Sequence, residues 1–224
     1  MKYVPTLVAV LGVLFPSAPS ARESHDTASP PLVKRLRVTE GDLEPLPGGR
    51  LRIEAPKVRA VDRAEGTPRA SRPGEELRVA ELRFTYQGPT PRQQALRSGE
   101  MRRQVGLKLR ARDGCNVVYV MWRLAPTPGL VVSVKSNPAL SRSADCGNHG
   151  YKTVKPRTRE PVPDIHPGAP HTLRAELQGA LLRVRVDGTR VWEGALPPEA
   201  FAFDGPVGLR SDNGRFEVEL RSTP

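Results

Sequence analysis

His171-Thr172-Leu173-Arg174-Ala175-Glu176-Leu177-Gln178 is followed by Gly179, by Leu182-Arg183-Val184-Arg185-Val186, by Asp187-Gly188, and by Thr189-Arg190-Val191-Trp192-Glu193. Leu173, Ala175 and Leu177, then Leu182, Val184 and Val186, recur at every second position with charged residues between them. A period of two puts alternate side chains on opposite faces of a strand, so each run has one apolar and one solvated face. Asp-Gly between two such runs is the strongest short-range hairpin signal, because both turn positions need positive φ. The stretch therefore predicts a three-stranded antiparallel meander over 171–194.

The same period extends outward in both directions. Downstream, 205–211 and 215–221 alternate around Asp212-Asn213-Gly214, which predicts a closing hairpin. Upstream, three strands have apolar faces made of Val105, Leu107, Leu109 and Ala111, of Val118, Val120, Trp122 and Leu124, and of Leu130, Val132 and Val134. Leu77–Tyr86 is a further strand whose apolar phase moves from Leu77 and Val79 to Leu82, Phe84 and Tyr86, as a bulge near Ala80 would do. Shorter candidates are 32–38 and 51–54. Helical periodicity is absent, and strands at short intervals separated by Gly, Pro and Asp predict an all-β sandwich or barrel. Residues 139–170 have no period, and a loop of that length is functional or disordered.

The N-terminus reads as a signal peptide over 1–20: Lys2, an apolar run from Val4 to Phe15, then small residues, with cleavage after Ser20 or Ala21. The apolar run is shorter than the roughly 20 residues of a membrane span, so no membrane span is expected. Residues 21–31 are polar, end in Pro30-Pro31 and predict a flexible leader; 32–222 predict one domain. An exported chain, secreted or periplasmic, meets oxidising conditions, so the two cysteines, Cys115 and Cys146, are expected to form a disulfide. It would close a loop of 31 residues and stabilise the fold by about 3 to 4 kcal/mol.

The chain of 224 residues has 35 Lys and Arg against 24 Asp and Glu, a net charge of +11. Loss of residues 1–20 removes only Lys2 and leaves +10. This balance points to an anionic partner. Aromatics are 5% of residues, too few stacking platforms for nucleic acid, and export argues against it as well.

The succession 171–177, 182–188 and Gly205-Pro206-Val207-Gly208-Leu209-Arg210, closed by Phe216-Glu217-Val218-Glu219-Leu220, resembles the C-terminal strands of concanavalin A-like lectin and glucanase domains. That superfamily includes laminin-G-like modules, laminarinase-type glucanases and alginate lyases. The resemblance implies a jelly roll of two antiparallel sheets, with glycan held on one face. Glucanases of this type carry three alternating acids, and Glu40-Gly41-Asp42-Leu43-Glu44 has that spacing. Gly41 and the following Pro45-Leu46-Pro47-Gly48-Gly49 make it a solvated turn instead. The lyases use an arginine-rich strand with a Gln near a His. Arg97–Arg102 and Gln104 resemble the first parts, but Gly106 stands where the His is expected.

His149, His166 and His171 lack the spacings of zinc sites, and no cofactor is expected. What remains is a polar face on three neighbouring strands, opposite their apolar face: Gln104, Lys108 and Arg110, then Tyr119 and Arg123, then Lys135. Arginine pairs with a uronate or sulfate in a two-pronged geometry, and tyrosine lies against a sugar ring. The expected function is a non-catalytic glycan-binding or cell-envelope module that prefers acidic polysaccharide. The alternative is a polysaccharide-active enzyme, a uronate lyase or a glycoside hydrolase.

Overall fold

A computed structural model describes residues 35–63 and 77–223. The signal peptide over 1–20, the leader over 21–31 and the start of the 32–38 strand lie outside the described residues. Among the described residues there are fifteen strands: β1 Leu36–Glu40, β2 Glu44–Pro45, β3 Leu51–Ile53, β4 Lys57–Asp62, β5 Leu77–Pro89, β6 Arg103–Leu109, β7 Val117–Ala125, β8 Gly129–Lys135, β9 Tyr151–Thr153, β10 Thr158–Arg159, β11 Pro170–Gln178, β12 Leu181–Val186, β13 Thr189–Ala195, β14 Gly208–Asp212 and β15 Gly214–Thr223. They form two packed sheets, in the orders β1-β4-β14-β6-β7-β8-β9 and β10-β13-β12-β11-β5-β15-β3-β2, with every neighbouring pair antiparallel.

The alternating apolar residues explain why the sheets face each other. Leu107, Val120, Trp122 and Val132 of the seven-stranded sheet, and Leu82, Leu173, Leu182, Val184 and Phe216 of the eight-stranded one, are all buried in a single cluster. Register keeps like with like: Leu173 lies opposite Val186 on one side and Leu82 on the other, and Ala175 lies opposite Val184 and Ala80. Asp187 and Gly188 turn between β12 and β13 at φ of 48° and 82°, the conformation that Asp-Gly is suited to.

Two expectations are corrected. β5 pairs with β11 without a break from Leu77 to Thr85, so there is no bulge at Ala80. Ala80 is itself on the interior face with Leu82, Phe84 and Tyr86, and its small side chain fits because its partner is Ala175. A register shift sits instead in the ladder of β5 with β15, where Gly214 faces Pro89 and Phe216 faces Tyr86, so the extra residue is on β5 near Gly88. Nor is 205–221 a hairpin. β14 belongs to the seven-stranded sheet and β15 to the eight-stranded one, so Asp212-Asn213-Gly214 takes the chain from one layer to the other. Leu209 on β14 and Val218 on β15 can then meet across the core rather than side by side.

Asn213, with φ of 55°, is fully buried at that crossing. Its backbone N–H donates to Pro56 O at 2.8 Å, its Oδ1 accepts from Gln94 N at 2.7 Å, and its Nδ2 donates to the carbonyls of Gln94 and Arg102 at 2.9 and 3.0 Å. One side chain thus holds the segment between β5 and β6 in place.

Candidate functional site

A cleft of about 740 Å³ lies on the outer face of the seven-stranded sheet. Its floor is built from side chains of β1, β4, β14, β6, β7, β8 and β9, and its walls from 96–102, 112–114 and 141–148. The walls are tied down from below. Cys115 and Cys146 are joined in a disulfide with 5.9 Å between their Cα atoms, as expected from the sequence. Lys135 Nζ, on β8, donates to Gly114 O at 3.1 Å and to Gly147 O at 2.9 Å, one on each side of that bond. Asn116 Nδ2 adds a bond to Leu140 O at 2.9 Å.

The floor carries a buried ionic lattice. Asp212 Oδ1 accepts from Arg59 Nη2 at 2.6 Å, while its Oδ2 accepts from Gln104 Nε2 at 2.6 Å and from Arg210 Nε at 2.9 Å. Burial pushes the Asp212 carboxyl up, but Arg210, Arg59 and Gln104 together outweigh it and hold the group down at about 2. The Arg210 guanidinium then lies 4.9 Å from the centroid of the Tyr119 ring, within cation–π range. Tyr119 stacks on Tyr151 with centroids 6.1 Å apart, and Lys135 Nζ is 5.2 Å from the Tyr151 centroid. Burial pushes the Tyr119 hydroxyl up to about 12, so it stays neutral.

Lys108 has the most unusual surroundings. It is 5% exposed, and among the described residues it has no hydrogen bond or ion pair. Burial first, then the charges of Arg59, Arg210 and Arg37, lower its ammonium to about 7, against a small opposing effect of Glu40. Burial, with Arg210 and Arg97, likewise lowers Lys135 to about 8. Arg123 sits lower than usual, mainly through burial, and its Nε is buried with no hydrogen-bond partner among the described residues.

Of the six side chains read from the sequence as one polar face, Gln104, Lys108, Tyr119, Arg123 and Lys135 line this cleft and Arg110 does not. β6 ends at Leu109, and Arg110 has φ of 51°, which turns it out of the strand's alternation. Its guanidinium lies 5.1 Å from the Phe201 ring centroid, bonded to the carbonyls of Ala200 at 3.0 Å and Phe203 at 2.6 Å, with Asp204 at 3.4 Å. Ala111, expected on the core face, lines the cleft in its place.

Arg59, Arg210, Asp212 and Tyr151 are the site residues the sequence reading missed. Arg210 and Asp212 do alternate in a short strand, but that strand's place in the sheet is set by the inter-layer crossing. Tyr151 stands in the aperiodic loop. The three acids near residue 40 do not share a face: Glu40 ends β1 in one sheet, 3.8 Å from Arg59, whereas Glu44 begins β2 in the other and pairs with Arg52 at 3.0 Å. His171 lies between the sheets beside Trp122 and Phe84, with its Nδ1 2.8 Å from Asp187.

The two facing antiparallel sheets are a jelly-roll sandwich of the concanavalin A-like type. The carbohydrate binding module CBM66 from Bacillus subtilis superposes with a TM-score of 0.53 over 83% of this chain and 94% of that one, at 10% identity. The carbohydrate recognition domain of Emp46p superposes with a TM-score of 0.50 over 84% and 88% of the two chains, at 14% identity. These likenesses are of fold. No protein-family model matches the chain, and no curated protein matches it in sequence. Among the described residues, no helix is long and apolar enough to cross a membrane.

Proposed function

We propose that this chain is an exported, non-catalytic module that holds a segment of acidic polysaccharide in the cleft of its seven-stranded sheet. The observation that carries the reading is the charge of that cleft: eleven lysines and arginines line it against three carboxylates, around the Tyr119–Tyr151 pair. Guanidinium groups in a partly desolvated cleft pair strongly with carboxylate or sulfate, and a tyrosine ring offers a surface to a sugar face. Both superposed structures carry names that describe carbohydrate binding or recognition. Export rests on the signal-type N-terminus, and the disulfide accords with it.

Binding of polygalacturonate and dextran sulfate, compared with a neutral glucan, tests the reading. Arg123→Ala should weaken binding of the acidic polymer about tenfold, the equivalent of about 1.4 kcal/mol. Raising salt from about 0.1 to 1 M, which shortens the screening length from roughly 10 to 3 Å, should weaken it further. Arg110→Ala, outside the cleft, should bind as the parent does. Equal affinity for the neutral glucan, or no acidic polymer bound, overturns the reading. Release of unsaturated uronate products from the polymer would overturn its non-catalytic part.

A further inference from the structure

Lys108 stands in the middle strand of the cleft floor, and among the described residues no carboxylate pairs with it. Its register partner on β14 is Gly208, which has no side chain to reach it, and on β7 it is Tyr119. Every other charged group that faces it is cationic or already engaged. Arg37 comes from β1, Arg59 from β4 and Arg210 from β14. Asp212 is bound by Arg59, Arg210 and Gln104, and Glu40 is half exposed at the cleft edge beside Arg59. A buried ammonium without a counter-charge is costly, and such groups are found where a ligand supplies the missing partner.

Resting on the glycan reading, we propose that Lys108 anchors a single-anion subsite that takes one carboxylate or sulfate group of the polysaccharide. The chemistry has a direct consequence. In the unliganded cleft the amine is poised at about 7, so near neutrality a large share of molecules hold it uncharged. A bound anion favours the ammonium, and binding therefore draws a proton from solution. If only the ammonium form binds, affinity falls about eightfold between pH 7.5 and 8.5 and about tenfold per unit beyond. Tyr119 and Asp212, at about 12 and about 2, do not titrate in that range. Lys135, at about 8, adds a smaller loss of its own, so the Lys108 share must be isolated by substitution.

Calorimetry on the unsubstituted chain, with polygalacturonate oligomers and separately with dextran sulfate oligomers, reads the proton directly. At pH 7.5, in two buffers of different ionisation heat, about three quarters of a proton should be taken up per bound anion at the subsite. The polymer that shows the uptake identifies the group as carboxylate or sulfate. Lys108→Arg, which is charged at every pH tested, should abolish most of the fall in affinity between pH 6 and 9, and Lys108→Met should bind weakly throughout. Tight binding with no proton uptake, or an unchanged pH dependence in Lys108→Arg, overturns the subsite and leaves the glycan reading standing. If neither polymer binds at any pH from 6 to 9, both fall together.

Discussion

The outer faces of the two sheets are both rich in arginine, yet they treat charge in opposite ways. On the eight-stranded sheet the arginines find a counter-charge on their own strand or on a neighbouring one. Arg174 pairs with Glu81 and Glu176, Arg185 also reaches Glu176, Arg183 and Arg190 share Glu193, Arg221 pairs with Glu219, and Arg50 with Glu217. Those arginines are a fifth to a half exposed, so the pairs are screened and nearly balanced. On the seven-stranded sheet the arginines of the cleft walls, Arg102, Arg112 and Arg142, pair with Glu100, Asp113 and Asp145. On the sunken floor, however, a single lattice around Asp212 compensates Arg59 and Arg210 and, among the described residues, Lys108 is left over. Excess charge spread evenly along the sequence is thus gathered by the fold onto one side. A face built only to stay soluble has no use for a buried, unpaired lysine.

Substitutions sharpen or break that contrast, and the largest effect is expected at the lattice. Asp212→Ala leaves Arg59 and Arg210 buried without their shared carboxylate and should destabilise the protein by about 3 to 5 kcal/mol, read from denaturant midpoints. Lys108→Met should act in the opposite direction, stabilising by on the order of 4 kcal/mol at pH 7. The sign follows from proton counts. The folded-state value of about 7 lies below the ordinary 10.5, so the unfolded chain holds more protons between them and stability of the parent rises with pH from about 7 to about 10. Lys108→Met should flatten that rise, and a steep rise surviving in the variant would show that the burial cost lies elsewhere.

Acid should reveal the lattice as well. Asp212 sits at about 2, below its ordinary 3.8, so its contribution is complete above about pH 4 and is lost as pH falls toward 2. The loss should be about 2 kcal/mol, and Asp212→Asn should lack it. The smallest effect is expected on the other face. Glu193→Ala removes the partner of Arg183 and Arg190 and should cost about 1 kcal/mol or less, with glycan affinity unchanged. A large binding loss there would break the contrast between the two faces.

The period-two pattern was enough to pick out the meander, the core positions from Leu107 to Val186, and five of the six polar side chains placed together on one face. Those features depend only on strand alternation, which is local. Arg110 escaped because alternation stops where the backbone leaves the β region, and its φ of 51° has no signature in Arg110 itself. The crossing at Asp212-Asn213-Gly214 was misread because a hairpin turn and a step between layers ask the same thing of Asn and Gly, namely positive φ. What distinguishes them is whether Leu209 and Val218 must face each other, which is a property of the whole sandwich. Tyr151 was hidden for a related reason. β9 is only three residues long, too short to show a period, and it is held as an edge strand by its pairing with β8 and by the cystine beside it.

The order of the seven strands under the cleft also sets a length. Neighbouring strands lie roughly 4.8 Å apart, so a path across the floor from β1 to β9 crosses six intervals and is about 30 Å long. That is the span of an oligosaccharide rather than of one sugar, and every strand from β1 to β8 in that order places a lysine or arginine on the scale, from Arg37 to Lys135. A short acidic fragment can occupy only part of the scale. Affinity should therefore climb with each added sugar and level off once the fragment reaches from one edge strand to the other.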